Sequence, residues 1–215
     1  MNSYSPRVCM ACAMFGLKLD ALPEPVPDAA STAGLIDRCL LPGQIALVTG
    51  PSGSGKSTIV RHLAERLESR GLPVVVSGPC VGEARIPDLF DLPLVETLSI
   101  LAAAGLAEAP ILLRRPGELS DGQRARLGLA LALGQVQGQC SVEPTTIIFD
   151  EFVSTLDRVT ARSVSTTLRR FVARNLDIRV VCVTAHDDIL ESLGPSVLIN
   201  QPLGRPATII TRGRP

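Results

Sequence analysis

"GQIALVTGPSGSGKSTIVRHLAERLESRG", residues 43–71, decides the fold. Its first part, 43–50, is a short apolar run ending in glycine and reads as a buried strand. Its last part sets Ile59, Val60, Leu63 and Leu67 at helical spacing, and Gly71 followed by Pro73 stops that helix. Between them, Gly50 to Ser57 fits G-x-x-x-x-G-K-[ST], in the strand-then-helix context the pattern needs. Gly53 and Gly55 permit tight turns and let backbone N–H groups face an anion. The start of the helix adds about half a positive charge. Pro51, Ser52, Ser54 and Thr58 complete the expected phosphate loop. Lys56 is expected to reach the β- and γ-phosphates of a nucleotide, and the Ser57 hydroxyl to hold Mg²⁺. The alternative is a ligand-free glycine-rich turn, which the strand–helix context disfavours.

Working outward, "PVVVSG" (73–78), "TTIIFD" (145–150) and "IRVVCVTAH" (178–186) read as further buried strands. "SVLINQ" and "ATIITRG" add two short ones near the end. Helical patterns fall around 93–104, over "GQRARLGLALALGQV" and over 160–175. This alternation predicts an α/β fold, a mostly parallel sheet flanked by helices. Residues 1–34 read as an N-terminal segment and linker: "CAMFGLKLDAL" as a strand, then "ALPEPVPDAASTAG" (21–34), with three prolines, as a loop. The main domain, carrying the phosphate loop, is expected over 35–215, with a reduced helical subdomain at about 80–135.

Hydrophobic residues make up 46% of the 215, enough for a real core, and the formal net charge is zero, so nothing forces a nucleic-acid partner. Cys9 and Cys12 form a CxxC, but no second pair or nearby histidine supplies the four ligands of a structural zinc. The apolar run Val8 to Leu17 has a single charge, Arg7, before it and no signal-peptide cleavage site after it, and no run approaches the ~20 residues of a membrane span. The expectation is a cytoplasmic protein that does not insert into a membrane.

"IIFDEF" ends a strand on two carboxylates. Beside a phosphate loop, Asp150 is expected to hold Mg²⁺, and Glu151 to orient or polarise an attacking water. His186 sits just past another strand, where α/β sheets place ligand groups. It reads equally as a γ-phosphate contact or as a capping or surface histidine. His62, between apolar positions of the first helix, reads as surface. "ELSDGQRARLGLALAL" (118–133) also has two readings. Ser120 and Gln123 stand three apart, as in a capping box. A helix start bearing Gly122 could equally touch a phosphate.

Five elements, "GPSGSGKST", "LSDGQ", "TIIFDE", "STLD" and "TAH", stand in one order, and together they resemble the ATP-binding-cassette (ABC) ATPases over roughly residues 35–215. "LLRRPGELSDGQRARLGLALAL" further resembles a soluble group of such ATPases, some fused to an acetyltransferase domain. The resemblance implies a P-loop NTPase fold in which Gly50 to Thr58 bind ATP and Leu119 to Gln123 form the signature. It further implies that Asp150 holds magnesium, Glu151 is catalytic, Ser154 to Asp157 form the D-loop and His186 is the switch histidine. It also implies a head-to-tail homodimer in which Ser120, Gly122 and Gln123 close on the ATP of the other copy. Two departures stand out. Asp121 replaces the family's usual glycine, and no glutamine occurs between Gln44 and Gln123 to serve as the Q-loop residue. Phe15 is the candidate adenine-stacking aromatic.

Three functions compete. The first is a soluble Mg²⁺-dependent ATPase acting as an ATP-driven dimer switch. The second is the ATP-binding subunit of an ABC transporter. The third is a nucleotide-gated module binding DNA or another protein through Arg162, Arg169, Arg170 and Arg174, a face whose plainer reading is solvation.

Overall fold

The computed structural model describes residues 28–78, 80, 82–137 and 143–211. The strands are β1 (Ile45–Thr49), β2 (Val74–Val76), β3 (Thr145–Phe149), β4 (Ile178–Thr184), β5 (Val197–Asn200) and β6 (Thr208–Thr211). They form one sheet in the order β2-β3-β4-β1-β5-β6, parallel except for the β5–β6 pair. The helices are α1 (Ala29–Cys39), α2 (Lys56–Ser69), α3 (Leu94–Ala103), α4 (Ala109–Leu112), α5 (Asp121–Val136), α6 (Arg158–Arg174) and α7 (Leu190–Leu193). The expected α/β architecture holds.

Strand alternation divides the core into two layers. Ile45, Leu47, Ile147, Phe149, Val180 and Cys182 face one side, against buried residues of α3, α5, α6 and α7. Ala46, Val48, Ile148, Val181 and Val183 face the other, against α1 and α2. Both faces are covered, so β1, β3 and β4 read as continuous apolar runs. Each fully buried Leu or Ile contributes about 1.5–3 kcal/mol.

Two expectations give way. Residues 29–34, expected in a loop, are helical. The prolines end at Pro27, the Asp28 carboxylate accepts the Ser31 N–H at 2.6 Å, and α1 follows. Its Thr32, Ala33, Gly34 and Ile36 are buried against α2, and small residues allow that close approach. Strand β2, expected to be buried, lies at the sheet edge and pairs only with β3, so Val76 remains 53% exposed. The strand expected in 12–22, the Cys9–Cys12 pair and Phe15 lie outside the described residues.

Arg179 sits on central strand β4, nine-tenths buried. Its Nε donates to Thr146 Oγ1 at 2.6 Å, and its other nitrogens reach the Asp37 carboxylate at 3.2 Å and the carbonyls of Asp37 and Leu40. Asp37, itself 5% exposed, also pairs with Arg66 and Arg70 of the α2 segment. A buried charge needs such partners, and these clamp α1, α2 and the sheet together. Reading 178–186 simply as a buried strand gave no sign of this.

Candidate nucleotide site

The carboxyl ends of β3, β4 and β1 stand side by side, with β4 in the middle. Beyond β1, the Gln201 N–H donates to the Thr49 carbonyl at 2.8 Å, bringing the chain after β5 against Gly50. A Cβ on Gly50 would lie 2.0 Å from the Gln201 oxygen. Only glycine fits there, and Gly50→Ala is expected to deform the loop and abolish nucleotide binding, checked by calorimetric titration.

Gly53 (φ 77°) and Gly55 (φ 96°) have the left-handed backbone that glycine adopts freely, and nothing lies within 4 Å of where a Cβ would be. The loop therefore leaves a cradle open. Gly55 precedes α2 without any side-chain cap, so no side chain of that residue competes for the helix's first N–H groups. Lys56 Nζ donates to the carbonyls of Gly50 and Pro51, both at 2.8 Å, folding back over the loop. Burial lowers its pKa, while the nearby charges of Asp150 and Glu151 oppose that. A phosphate in the cradle would give this ammonium an anionic partner in place of the two carbonyls.

A cavity of about 410 Å³ opens at this point, and its wall includes Lys56, Ser57 and Thr58 from the loop, Asp150 and Glu151 from the end of β3, and Thr184 from β4. The residues fit a metal-bound triphosphate: an open N–H cradle, one ammonium, one hydroxyl and two carboxylates. His186 lies two residues beyond β4, half-buried, and is not in this wall; its N–H donates to Thr184 Oγ1 at 3.2 Å. His62 is 38% exposed beside Glu65.

The chain turns sharply after Asp150. Glu151 (φ 54°) and Val153 (φ 52°) are non-glycine residues in the left-handed region, each costing about 1–3 kcal/mol. The turn is held by Phe152 N–H donating to the Val183 carbonyl at 2.7 Å and by Asp150 Oδ1 accepting the Glu151 N–H at 3.0 Å. It leaves Glu151 exposed at the cavity while Phe152 and Val153 are buried.

Arg158 locks the next loop. It donates to the carbonyls of Val153 (3.2 Å) and Leu156 (2.7 Å) and to Asp188 Oδ1 (3.0 Å). The segment carrying His186 and the loop after Glu151 thus share one guanidinium. Sequence reasoning missed this pair; its only signals were the arginine after Asp157 and the second aspartate after His186. Asp157 itself caps α6, accepting from Thr160 N–H (3.0 Å) and Val159 N–H (3.1 Å), and the bonds from Thr160 above all hold its carboxyl below the usual range.

At α5, Gln123 N–H donates to Ser120 Oγ (3.3 Å) and Gln123 Oε1 accepts the Ser120 N–H (3.1 Å), a complete capping box. Ser120→Ala is expected to lower stability by about 1 kcal/mol in denaturant unfolding. Ser120, Gly122 and Gln123 do not line the 410 Å³ cavity of their own chain. Asp121 is 87% exposed and 3.7 Å from Arg124, which partly balances its charge. Of the arginines on α6, Arg162 lies 3.8 Å from Asp188 and Arg169 donates to the Glu191 carbonyl at 3.2 Å; that face is partly engaged within the chain.

Residues 33–187 match the profile of the AAA ATPase domain family. The chain is 29% identical over 206 residues to the sn-glycerol-3-phosphate import ATP-binding protein of Chromohalobacter salexigens, covering 82% of this chain and 53% of that one. It is 33% identical over 175 residues to the aliphatic sulfonates import ATP-binding protein of Delftia acidovorans, covering 72% and 66%. The chain thus spans only about half to two thirds of these relatives' lengths. In fold it is similar to a dimeric bacterial ABC transporter cassette, with a TM-score of 0.62 at 18% identity, covering 81% of this chain and 88% of that one. It is also similar to a bacterial Atm1-family ABC exporter with ATP bound, with a TM-score of 0.58 at 19% identity, covering 79% and 34%.

Proposed function

The chain belongs to the ATP-binding-cassette ATPases, and on that footing we propose that it binds ATP, closes as a homodimer around two nucleotides and hydrolyses them. The observation that carries this reading is the meeting of the open cradle, Lys56, Ser57, Asp150 and Glu151 around one cavity. Gly50, Pro51, Ser52, Gly53, Ser54, Gly55 and Thr58 form the loop that receives the phosphates. Ser57 and Asp150 would hold Mg²⁺, which when bound neutralises phosphate charge. Lys56 swings from its two carbonyls to the phosphates and stabilises developing charge. Glu151, set in place by its strained turn, polarises the attacking water. His186 reaches the γ-phosphate once the closed state repositions its loop. Ser120, Gly122 and Gln123 are presented to the nucleotide of the other copy.

The test is phosphate release from ATP by the purified chain. Steady turnover with Mg²⁺ is expected, with loss on chelation and in Lys56→Ala. Turnover unchanged in Lys56→Ala contradicts the assignment. Arg158→Ala is expected to lower kcat about 10- to 100-fold with a smaller change in ATP affinity, because it frees both loops that position catalytic groups; kcat and KM measured together check this.

A second reading, the ATP-binding subunit of an importer, draws on the import proteins among its relatives. The absent Q-loop glutamine counts against it. No described helix is long and apolar enough to cross a membrane, and we place the chain in the cytoplasm.

A further inference from the structure

A second cavity, of about 500 Å³, lies across the turn after β3 from the phosphate cavity. Asp150, Glu151 and Ser154 line both, so the turn is a partition between them. The phosphate cavity is on its β4 side. The second is on its β2 side, walled by Ser77, Gly78 and Cys80 just past β2 and by the first turns of α5. Its volume is that of a small-ligand pocket, and the nucleotide proposed above does not use it.

Two glycines set α5 against the rims of this cavity. A Cβ on Gly122 would lie 3.1 Å from the Leu156 side chain, and one on Gly128 would lie 3.3 Å from the Gly78 carbonyl oxygen. The helix therefore meets both the loop after β3 and the chain after β2, and the space between them is framed. Its floor is apolar: Leu129, Phe149, Phe152 and Val164 are buried there, with the two phenylalanine rings 5.9 Å apart and tilted by 42°. Such a floor takes an apolar ligand body.

One polar group in the wall is unspent. Arg124 donates from Nη2 to the Leu119 carbonyl at 2.9 Å, but its Nε is buried without a hydrogen-bond partner among the described residues. A buried N–H in that position costs free energy until an acceptor reaches it. Arg126, the other arginine in the wall, is already committed to the carbonyls of Gly122 and Gly105. Asp121 is mostly in water and holds Arg124 only loosely, at 3.7 Å from Nη2. Asp150 and Glu151, at the partition, repel an anion. An anionic group therefore belongs at the Arg124 end, where a carboxylate makes a charge-assisted bond.

We propose that this cavity binds a small monocarboxylic acid with an aromatic or branched aliphatic body. The carboxylate accepts from Arg124 Nε, and the body packs on the two phenylalanines. The bound molecule touches the back of the turn that carries Glu151. The proposal stands apart from the nucleotide reading, since it needs neither ATP nor a second copy of the chain.

The probes are phenylacetate and its neutral analogue phenylacetamide, titrated calorimetrically into the full chain. Phenylacetate is expected to bind with a Kd of about 1 mM or tighter, and the amide about tenfold more weakly. Arg124→Gln is expected to bring phenylacetate to the level of the amide. Ala125→Phe, at an exposed position on the cavity wall, is expected to weaken both probes. Cys80, part-buried on the same wall, maps the site. Saturating phenylacetate is expected to slow its alkylation by iodoacetamide several-fold, read by peptide mass, in the unaltered chain and not in Ala125→Phe. Absence of phenylacetate binding, equal affinity for the acid and the amide, or binding that leaves Cys80 unprotected overturns the site.

Discussion

Glu151→Gln is expected to bind ATP with near-unchanged affinity and to lose turnover by roughly 10²- to 10⁴-fold, the range supplied by a positioned general base. The change keeps the side chain's size and one acceptor oxygen but removes the basic carboxylate. Binding should survive because the cradle, Lys56, Ser57 and Asp150 are untouched. The backbone turn should survive too, since it is held by Phe152 N–H on Val183 and by Asp150 on the Glu151 N–H, not by the Glu151 side chain. Paired measurement of ATP affinity and phosphate release checks this. Loss of both together points to a collapsed turn, and retention of turnover removes Glu151 from the chemistry.

Asp37→Ala is expected to destabilise the fold by about 3–5 kcal/mol, the usual consequence of leaving a buried charge unpaired. For a domain of this size that lowers Tm by roughly 10 °C. Arg179 stays buried on β4 with Thr146 and two carbonyls but without its carboxylate, and Arg66 and Arg70 lose their shared anchor. Asp37→Asn retains an acceptor for Arg179 and is expected to lose less. Thermal unfolding of the three proteins side by side measures the difference. A loss under about 1 kcal/mol in Asp37→Ala places the pair with ordinary surface bridges.

Much of this molecule is legible because its signals are local. The glycine-rich loop has a fixed spacing, β1, β3 and β4 are continuous apolar runs, and Ser120 and Gln123 stand where a capping box needs them. What escaped reading depends on partners distant in sequence. Helix α1 has little apolar periodicity, because Ala, Ser, Thr and Gly suit its close approach to α2 as well as they suit a loop. The apolar run of β2 says nothing of its place at an edge, which follows only from the sheet order. Arg179 finds Asp37 across most of the chain, and Arg158 finds Asp188 across a helix and a strand. The left-handed turn at Glu151 and Val153 is set by tertiary bonds against local preference, and neither residue type announces it.

The most direct test of the central claim is the solution mass of the Glu151→Gln chain with and without ATP and Mg²⁺. An ATP-dependent shift from monomer to dimer is the predicted result, because blocked hydrolysis should trap two copies with the capped start of α5 closed on each other's nucleotide. A monomer at saturating ATP contradicts the account.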